Sequence, residues 1–370
     1  MRAAIKEVAV VGAGPSGCAV AASLASRGIQ VELIGPAPPA DRGHRACQTL
    51  GPQGLRRILS LGVSTDALEG VCRRLDGSST SWGPSDHGFR SVLSLGAPEV
   101  RVIARAPFDE ILALNAERCG VSRVRDAALK VTPARGFWTL DLRTMRSVRA
   151  RLIVDCTGRA SRLVRKHGAT HTAIDELLVW SAKCKTQAGP PVIEIDATER
   201  GWIFTAPTVM GDRFVAFFGD KDLLNSGGER HLRGSWPKEA QRSRLWRQYA
   251  GYFDTRTVTV ELAATGYLDY AVLPGLIAVG DAAQTLDPLS SQGILSALQD
   301  AESAAEAIAA AVGGDVEHLS RHEAARRGRF CQYLLQRQAQ YKVESRFETS
   351  PFWRRRQQPV GETYRSHAIT

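Results

Sequence analysis

The chain has 370 residues, 44% of them hydrophobic and 23% charged, enough for a large core and about two domains. No apolar run reaches the roughly 18 residues that a membrane span needs, and MRAAIKEVAV runs straight into an apolar strand without a signal-peptide core or cleavage site. A cytoplasmic protein with no membrane partner is therefore expected. The net charge is +10, much of it in arginine-rich tracts at 321–329 and 354–356. No recognised nucleic-acid module accompanies these tracts, so no nucleic-acid partner is expected; a solvated basic face, or attraction of an acidic substrate or partner, explains them better. Seven cysteines are dispersed without a C-x-x-C. That pattern argues against a disulfide framework and a structural metal site.

The organising stretch comes first. In VAVVGAGPSGCAVAASLASRGIQVELIG an apolar run ends at Gly12, a G-x-G-x-x-G follows as Gly12, Gly14 and Gly17, and a small-residue helix leads to a second apolar run. This strand–turn–helix–strand order is the dinucleotide fingerprint. Gly12 permits the turn, Gly14 lets backbone approach a pyrophosphate, Gly17 lets helix lie on sheet, and the helix N-terminus faces the phosphates. The acid that usually closes the second strand and bonds the ribose is missing: Glu32 lies inside the strand and its end reads Gly35-Pro36.

Beyond a Pro- and Gly-rich loop, residues 53–61 read as a short helix stopped by Gly62. Residues 72–94, rich in Ser, Gly and Trp, read as strands and turns of an inserted sheet. Pro107 sits at a helix start, with acids following and Gly120 as the stop. Segments 129–131, 137–142 and 148–154 alternate as a β-meander, leading into VDCTGRAS, a second glycine turn. Residues 177–218 hold four aromatic-rich strands, 236–253 look helical, and 301–338 read as a strongly helical, arginine-rich tail ending in PFWRRR. A third glycine-rich element, GDAAQTLDPLSSQG at 280–293, follows a buried strand and opens a helix. Its Asp281 can accept hydrogen bonds from a sugar-phosphate hydroxyl, and the helix N-terminus behind a Pro-fixed loop can aim amides at developing negative charge. Only one phosphate-binding βαβ unit is present, so a second resident dinucleotide has no home.

The trio GAGPSG, DCTGRAS and GDAAQTLDPLSSQG resembles the FAD-binding motifs of the p-hydroxybenzoate hydroxylase superfamily. VIARAPFDEILALNAERCGV, GWIFTAPTVMGDRFVAFFGDKDLL, DPLSSQGI and PFWRRR are similar to its tryptophan-halogenase-like branch, and more so to the flavoproteins that mature quinone cofactors by oxidising a tryptophan inside a partner protein. The resemblance implies an α/β, Rossmann-like FAD-binding fold with an inserted antiparallel β-sheet substrate domain and a helical C-terminus. The FAD-binding parts would be 1–70, 97–165 and 270–312, the substrate parts 71–96 and 166–269, and the tail 313–370. Gly12, Gly14, Ser16 and Gly17 would cradle the pyrophosphate, Arg105 would contact FAD, and Gly280 with Asp281 would serve the ribityl or pyrophosphate region. Pro288, Gln292, Gly293 and Ile294 would shape the loop whose amides meet the pyrimidine end of the flavin.

The implied activity is FAD-dependent monooxygenation of an electron-rich aromatic ring through a flavin hydroperoxide, with NAD(P)H or another reductant and O2. The substrate would be a Trp or Tyr side chain of a partner protein or peptide, or a free or carrier-bound small aromatic. His44 and Gln48, in the loop expected near the flavin, are candidates for a proton relay or a substrate bond; a solvated loop histidine is the alternative. Trp82 and Trp202 are candidates for the substrate pocket, with core aromatics as the alternative. Halogenation is disfavoured by three departures: no lysine between Gly35 and Lys130, Phe204 and Ala206 where the halogenase Trp-x-Trp-x-Ile-Pro motif has its second Trp and Ile, and Ser291-Gln292 in place of a Ser-Thr pair. A non-catalytic flavin-fold scaffold is the non-enzymatic alternative.

Overall fold

The structure is a computed structural model and describes residues 4–38, 47–83, 88–91, 100–186, 189–224 and 236–358. Candidate His44 lies outside the described residues. The arrangement is α/β, with a helical C-terminus.

The nucleotide-type sheet is built on four neighbouring parallel strands. Ile5–Val11 pairs with Ser147–Asp155 on one side and Val31–Ile34 on the other, and Leu276–Ala278 pairs with Ser147–Asp155. These strands are buried on both faces, which is why they read as continuous apolar runs. Ser122–Val124 extends the sheet beyond Val31–Ile34. The meander strands Ala128–Ala134 and Phe137–Leu142 join antiparallel to Ser147–Asp155. Helices Pro15–Ala25, Arg105–Arg118 and Gly293–Val312 share one core cluster against the sheet, and the meander closes a second cluster that includes Val11 and Ile34. Pro107 falls inside the first turn of its helix, which starts two residues earlier at Arg105. Proline is tolerated there because its missing N–H has no intrahelical acceptor.

The second large sheet runs in the order Thr259–Leu262, Leu177–Cys184, Arg213–Asp220, Gly201–Pro207, Val192–Thr198, Gly77–Ser81, Gly88–Ser91. It is antiparallel except where Gly77–Ser81 pairs parallel to Val192–Thr198. The expected inserted segment is split: Cys72–Leu75 joins a separate three-stranded sheet with Val100–Ile103 and Gln48–Leu50.

Two helical expectations change. Within 236–253 only Arg244–Tyr249 is α-helical, flanked by 3-10 turns at Ala240–Arg242 and Ala250–Tyr252. Ser243 caps it, accepting from the amides of Leu245 and Trp246, so the helix cannot begin earlier. Trp236, Trp246 and Phe253 pack on one another and hold the flanks as turns. The 301–338 segment is two helices, Gly293–Val312 and Glu317–Lys342, broken at Gly313-Gly314 where Gly314 has φ +102°.

The arginine tracts are not simply a solvated face. Arg326 is fully buried and pairs with Glu323 and the Leu268 carbonyl. Arg356 is buried against Asp220 (2.9 Å) with its guanidinium over the Phe352 ring. The closing helix Pro351–Gln357 buries Phe352 and Trp353 completely beneath the large sheet, and the Trp353 indole donates to the Thr198 carbonyl at 2.9 Å. Trp353→Ala should lower unfolding free energy by about 3–5 kcal/mol in denaturant titration. A loss below about 1 kcal/mol would mean that the tail does not hold the sheet.

Candidate active site

The pairing register places Ile34, Val11, Asp155 and Ala278 in one row across the sheet. The chain leaves every one of these strands at the same carboxyl edge, where ligands of open α/β sheets bind. Gly35, Gly12, Cys156 and Gly280 follow within two residues of that row.

The first turn is set by contact. Gly12 has φ +116°, and a Cβ there would stand 2.1 Å from the Cys156 carbonyl oxygen; a Cβ on Gly17 would stand 1.8 Å from the Gly12 carbonyl. Both positions therefore need glycine. Gly14 is different: a Cβ there meets nothing within 4 Å, because the space beside it is the cavity. The helix Pro15–Ala25 starts at this point without a side-chain cap, so its first amides are free to serve a phosphate.

The second turn is braced by the fully buried Asp155. Its carboxylate accepts from the Thr157 amide (3.0 Å) and hydroxyl (2.7 Å) and from the amides of Leu163 (2.8 Å) and Val164 (3.1 Å). Ser161 ties this turn to the third by donating to the Ala282 carbonyl at 2.7 Å. Between the two turns Arg159 donates to the carbonyls of Ala264 (2.8 Å) and Leu286 (3.3 Å) and stands 4.0 Å from the Asp281 carboxylate.

The third turn leads through Asp287–Ser291 into Gly293–Val312, whose N-terminus also lacks a side-chain cap. Asp287 is the anchor. Arg337 donates to its Oδ2 at 3.1 Å, the Tyr341 hydroxyl donates to the same oxygen at 2.8 Å, and the Asp287 amide donates to the Tyr333 hydroxyl at 2.6 Å. Arg337 also grips Asp175 at 2.7 Å. Burial, with the Asp287 charge beside it, pushes the Tyr341 phenol well above its ordinary range, so it remains a donor at every physiological pH. The Trp202 indole donates to the same Tyr341 oxygen at 3.3 Å. The loop before the helix and the aromatic wall of the sheet thus hang on one tail helix.

These turns surround one cavity of about 660 Å³, within the range of ligand pockets. Of the sequence candidates, Gly12, Gly14, Ser16, Gln48, Arg105, Trp202, Asp281, Pro288, Gly293 and Ile294 line it. Arg105 is buried in a two-pronged pair with Asp109 (3.0 and 3.2 Å), and a further N–H of its guanidinium reaches the Gln48 amide oxygen. Gln48 is thus in place to hold Arg105. Four candidates do not line the cavity. Gly17 is the helix–strand contact just described. Gly280 packs under Ser16, from which a Cβ would be 2.8 Å, and donates its amide to Asp300. The Gln292 amide turns back to the Ser290 hydroxyl. Trp82 lies behind the wall, edge-on to Trp353 (4.9 Å) and Trp202 (6.3 Å), with its indole N–H on the Gln340 carbonyl.

At the sheet end the wall is Trp202, Phe204, Phe214 and Phe218, with Val179 and Leu262. Trp202 and Phe218 stack with centroids 3.9 Å apart. Cys47 also lines the cavity; burial pushes its thiol up to about 12, so it stays a protonated, unreactive thiol at neutral pH. No lysine, histidine or glutamate occurs among the described lining residues. Among the described residues no cluster of His, Cys, Asp and Glu could hold a metal ion, and no helix is long and apolar enough to cross a membrane.

Arg159, Asp126 and the aromatic pair Phe214 and Phe218 escaped the sequence reading. Arg159 carried a signal in its place inside the second glycine turn, and the two phenylalanines in their aromatic-rich strand; Asp126 carried none.

An uncapped helix N-terminus beside an open glycine, the lining arginines Arg105 and Arg159 and an aromatic wall form a cradle that fits a flavin nucleotide. Fold and site together define the class, a flavin-dependent oxidoreductase. The chain belongs to the tryptophan halogenase family, whose model matches residues 102–368. LodB of Marinomonas mediterranea, named as an FAD-dependent oxidoreductase, is 25% identical over 94% of this chain and 95% of its own. The structure of QhpG, a peptidyl tryptophan dihydroxylase essential for tryptophylquinone cofactor biogenesis, superposes with a TM-score of 0.81 at 21% identity, over 97% of this chain and 81% of that one. The myxobacterial chondrochloren halogenase CndH, an FAD-dependent halogenase, superposes equally well (0.81, 21% identity, 99% and 89%).

Because Gly14 faces open space, Gly14→Val should leave folding intact while removing at least two charge-assisted bonds at roughly 1.5–3 kcal/mol each. FAD affinity should then fall by at least about a hundredfold in a titration of the apo-protein. Gly12→Ala, by contrast, should lower thermal stability with or without flavin. Unchanged FAD affinity in Gly14→Val would contradict the assigned cradle.

Proposed function

We propose that this protein is an FAD-dependent monooxygenase that oxidises an electron-rich aromatic ring, a Trp or Tyr side chain of a partner protein or peptide. The observation that carries the reading is the single cavity running from the glycine cradle to the wall of Trp202, Phe204, Phe214 and Phe218. Such a wall accepts a flat apolar ring by burial and edge or face contacts.

FAD, when bound, would supply the redox chemistry, with NAD(P)H or another reductant giving two electrons and O2 giving the inserted oxygen atom, its second atom leaving as water. Gly12, Gly14, Ser16 and Arg159 would hold the pyrophosphate region. Asp281 would accept from a ribityl or sugar hydroxyl. Gly293 and Ile294 would direct first-turn amides, and the positive end of a long helix, toward negative charge on the reduced ring. Arg105, fixed by Asp109 and Gln48, would lie along the cofactor. The aromatic wall would orient the substrate ring and exclude water. An indole or phenol carries enough electron density to react without a strong base, which agrees with the lack of histidine, glutamate or lysine among the described lining residues. The proposed division of labour is 1–70, 97–165 and 270–312 for the cofactor, 71–96 and 166–269 for the substrate, and 313–370 as the tail that holds them together. A reducing cytoplasmic setting, in which cysteines stay as thiols, belongs to the same proposal.

One line of support favours a peptidyl substrate: the likeness to QhpG, a peptidyl tryptophan dihydroxylase, over 97% of this chain. Halogenation, the activity of CndH, is the weaker reading because no lysine lines the described cavity and none occurs between Gly35 and Lys130.

The test is to incubate the flavin-loaded protein with reductant, O2 and the products of its neighbouring genes, and to weigh the tryptic peptides. Gain of one or two oxygen atoms on a Trp or Tyr is expected, together with substrate-dependent reductant consumption. Turnover only with free small aromatics would move the reading to a metabolite hydroxylase. Halide incorporation into tryptophan would overturn it, and a protein that binds no flavin would be a scaffold.

A further inference from the structure

The second strand of the dinucleotide unit ends without the acid that normally bonds the ribose. The structure gives the reason. A Cβ on Gly35 would stand 2.7 Å from the Ala13 Cβ and 2.8 Å from the Ala13 nitrogen, so no side chain fits where the acid would begin. The next strand lies immediately beside it. Ile34 is in register with Val124, and the Gly35 amide donates to the Val124 carbonyl at 3.1 Å. Two residues beyond Val124, Asp126 lines the same cavity as Gly35 and Pro36 and is 7% exposed.

We propose that Asp126 is the carboxylate that accepts the ribose hydroxyl of the cofactor's adenosine, supplied from the neighbouring strand in place of the acid that Gly35 excludes. This rests on the reading of the cavity as an FAD site. The Asp126 side chain is held in position on both oxygens. Oδ1 accepts from the Ala127 amide at 2.7 Å, and Oδ2 accepts from the Thr144 amide at 3.1 Å and hydroxyl at 2.5 Å. A carboxylate offers about four acceptor positions; three are occupied, which leaves one for a hydroxyl. Hydrogen bonds from Thr144, and then from the backbone, hold the carboxyl below its usual range, so it is ionised at neutral pH and accepts as a charged group. Arg143 lines the cavity too, its amide bonded to the Ala127 carbonyl at 3.0 Å.

The adenosine end is absent from FMN, and that separates this role from a general one. Apo-protein is titrated with FAD and with FMN for the wild type, Asp126→Ala and Asp126→Asn. Asp126→Ala should raise the FAD Kd about tenfold or more, Asp126→Asn by a smaller factor, and neither should move the FMN Kd by more than about twofold. If Asp126→Ala fails to fold, the near-isosteric Asp126→Asn decides, with its thermal unfolding recorded alongside. Equal weakening of FAD and FMN, or no weakening of FAD, would overturn the assignment to Asp126. Wild-type protein that binds neither compound would instead overturn the flavin reading, and this proposal with it.

Discussion

Everything in this protein depends on four strands ending in one row. Because Ile34, Val11, Asp155 and Ala278 are in register, segments far apart in the chain leave the sheet at the same height and turn over the same edge. A parallel sheet makes this arrangement natural, since each crossover returns the chain to start again in the same direction. Slipping one pairing by a residue would turn that strand's side chains over and carry its turn out of the cavity rim. The approach is close at Gly12, whose missing side chain lets the first turn rest on the Cys156 carbonyl.

A second constraint links the loop ahead of Gly293 to the large antiparallel sheet. Asp287, Tyr341, Arg337 and Asp175 form one buried network, and Trp202 joins it through the Tyr341 hydroxyl. Charges this deep are tolerable only when paired and hydrogen-bonded, and each of these is. The result is that the loop ahead of Gly293 and the aromatic wall are positioned by the same helix, Glu317–Lys342, with Trp353 and Phe352 clamping the far side. The distance between the two halves of the site is thereby fixed by packing rather than by the loops alone.

The sequence made the sheet and its turns legible because their signals are local. Apolar runs bounded by glycines mark strand and turn, and the four aromatic strands from 177 to 218 are found nearly residue for residue at Leu177–Cys184, Val192–Thr198, Gly201–Pro207 and Arg213–Asp220. What was not legible is set by distant partners. Nothing near Arg356 announces Asp220, so an arginine cluster reads as solvated when two of its members are buried. Trp82 and Trp202 look alike in sequence, yet only Trp202 reaches the cavity, because the tail fills the space around Trp82. The 236–253 segment lost most of its helix to a serine cap and a three-ring stack. Asp126 carries no motif at all; its place follows from the strand beside it.

The most direct measurement of the central claim is a crystal structure of the protein soaked with FAD. The account predicts the pyrophosphate at the amides following Gly14, the isoalloxazine ring between the Pro288–Ile294 turn and the Trp202 wall, and open space on the ring face toward Phe204 and Phe214. Density for the ring away from that wall, or for the pyrophosphate away from the first glycine turn, would contradict it.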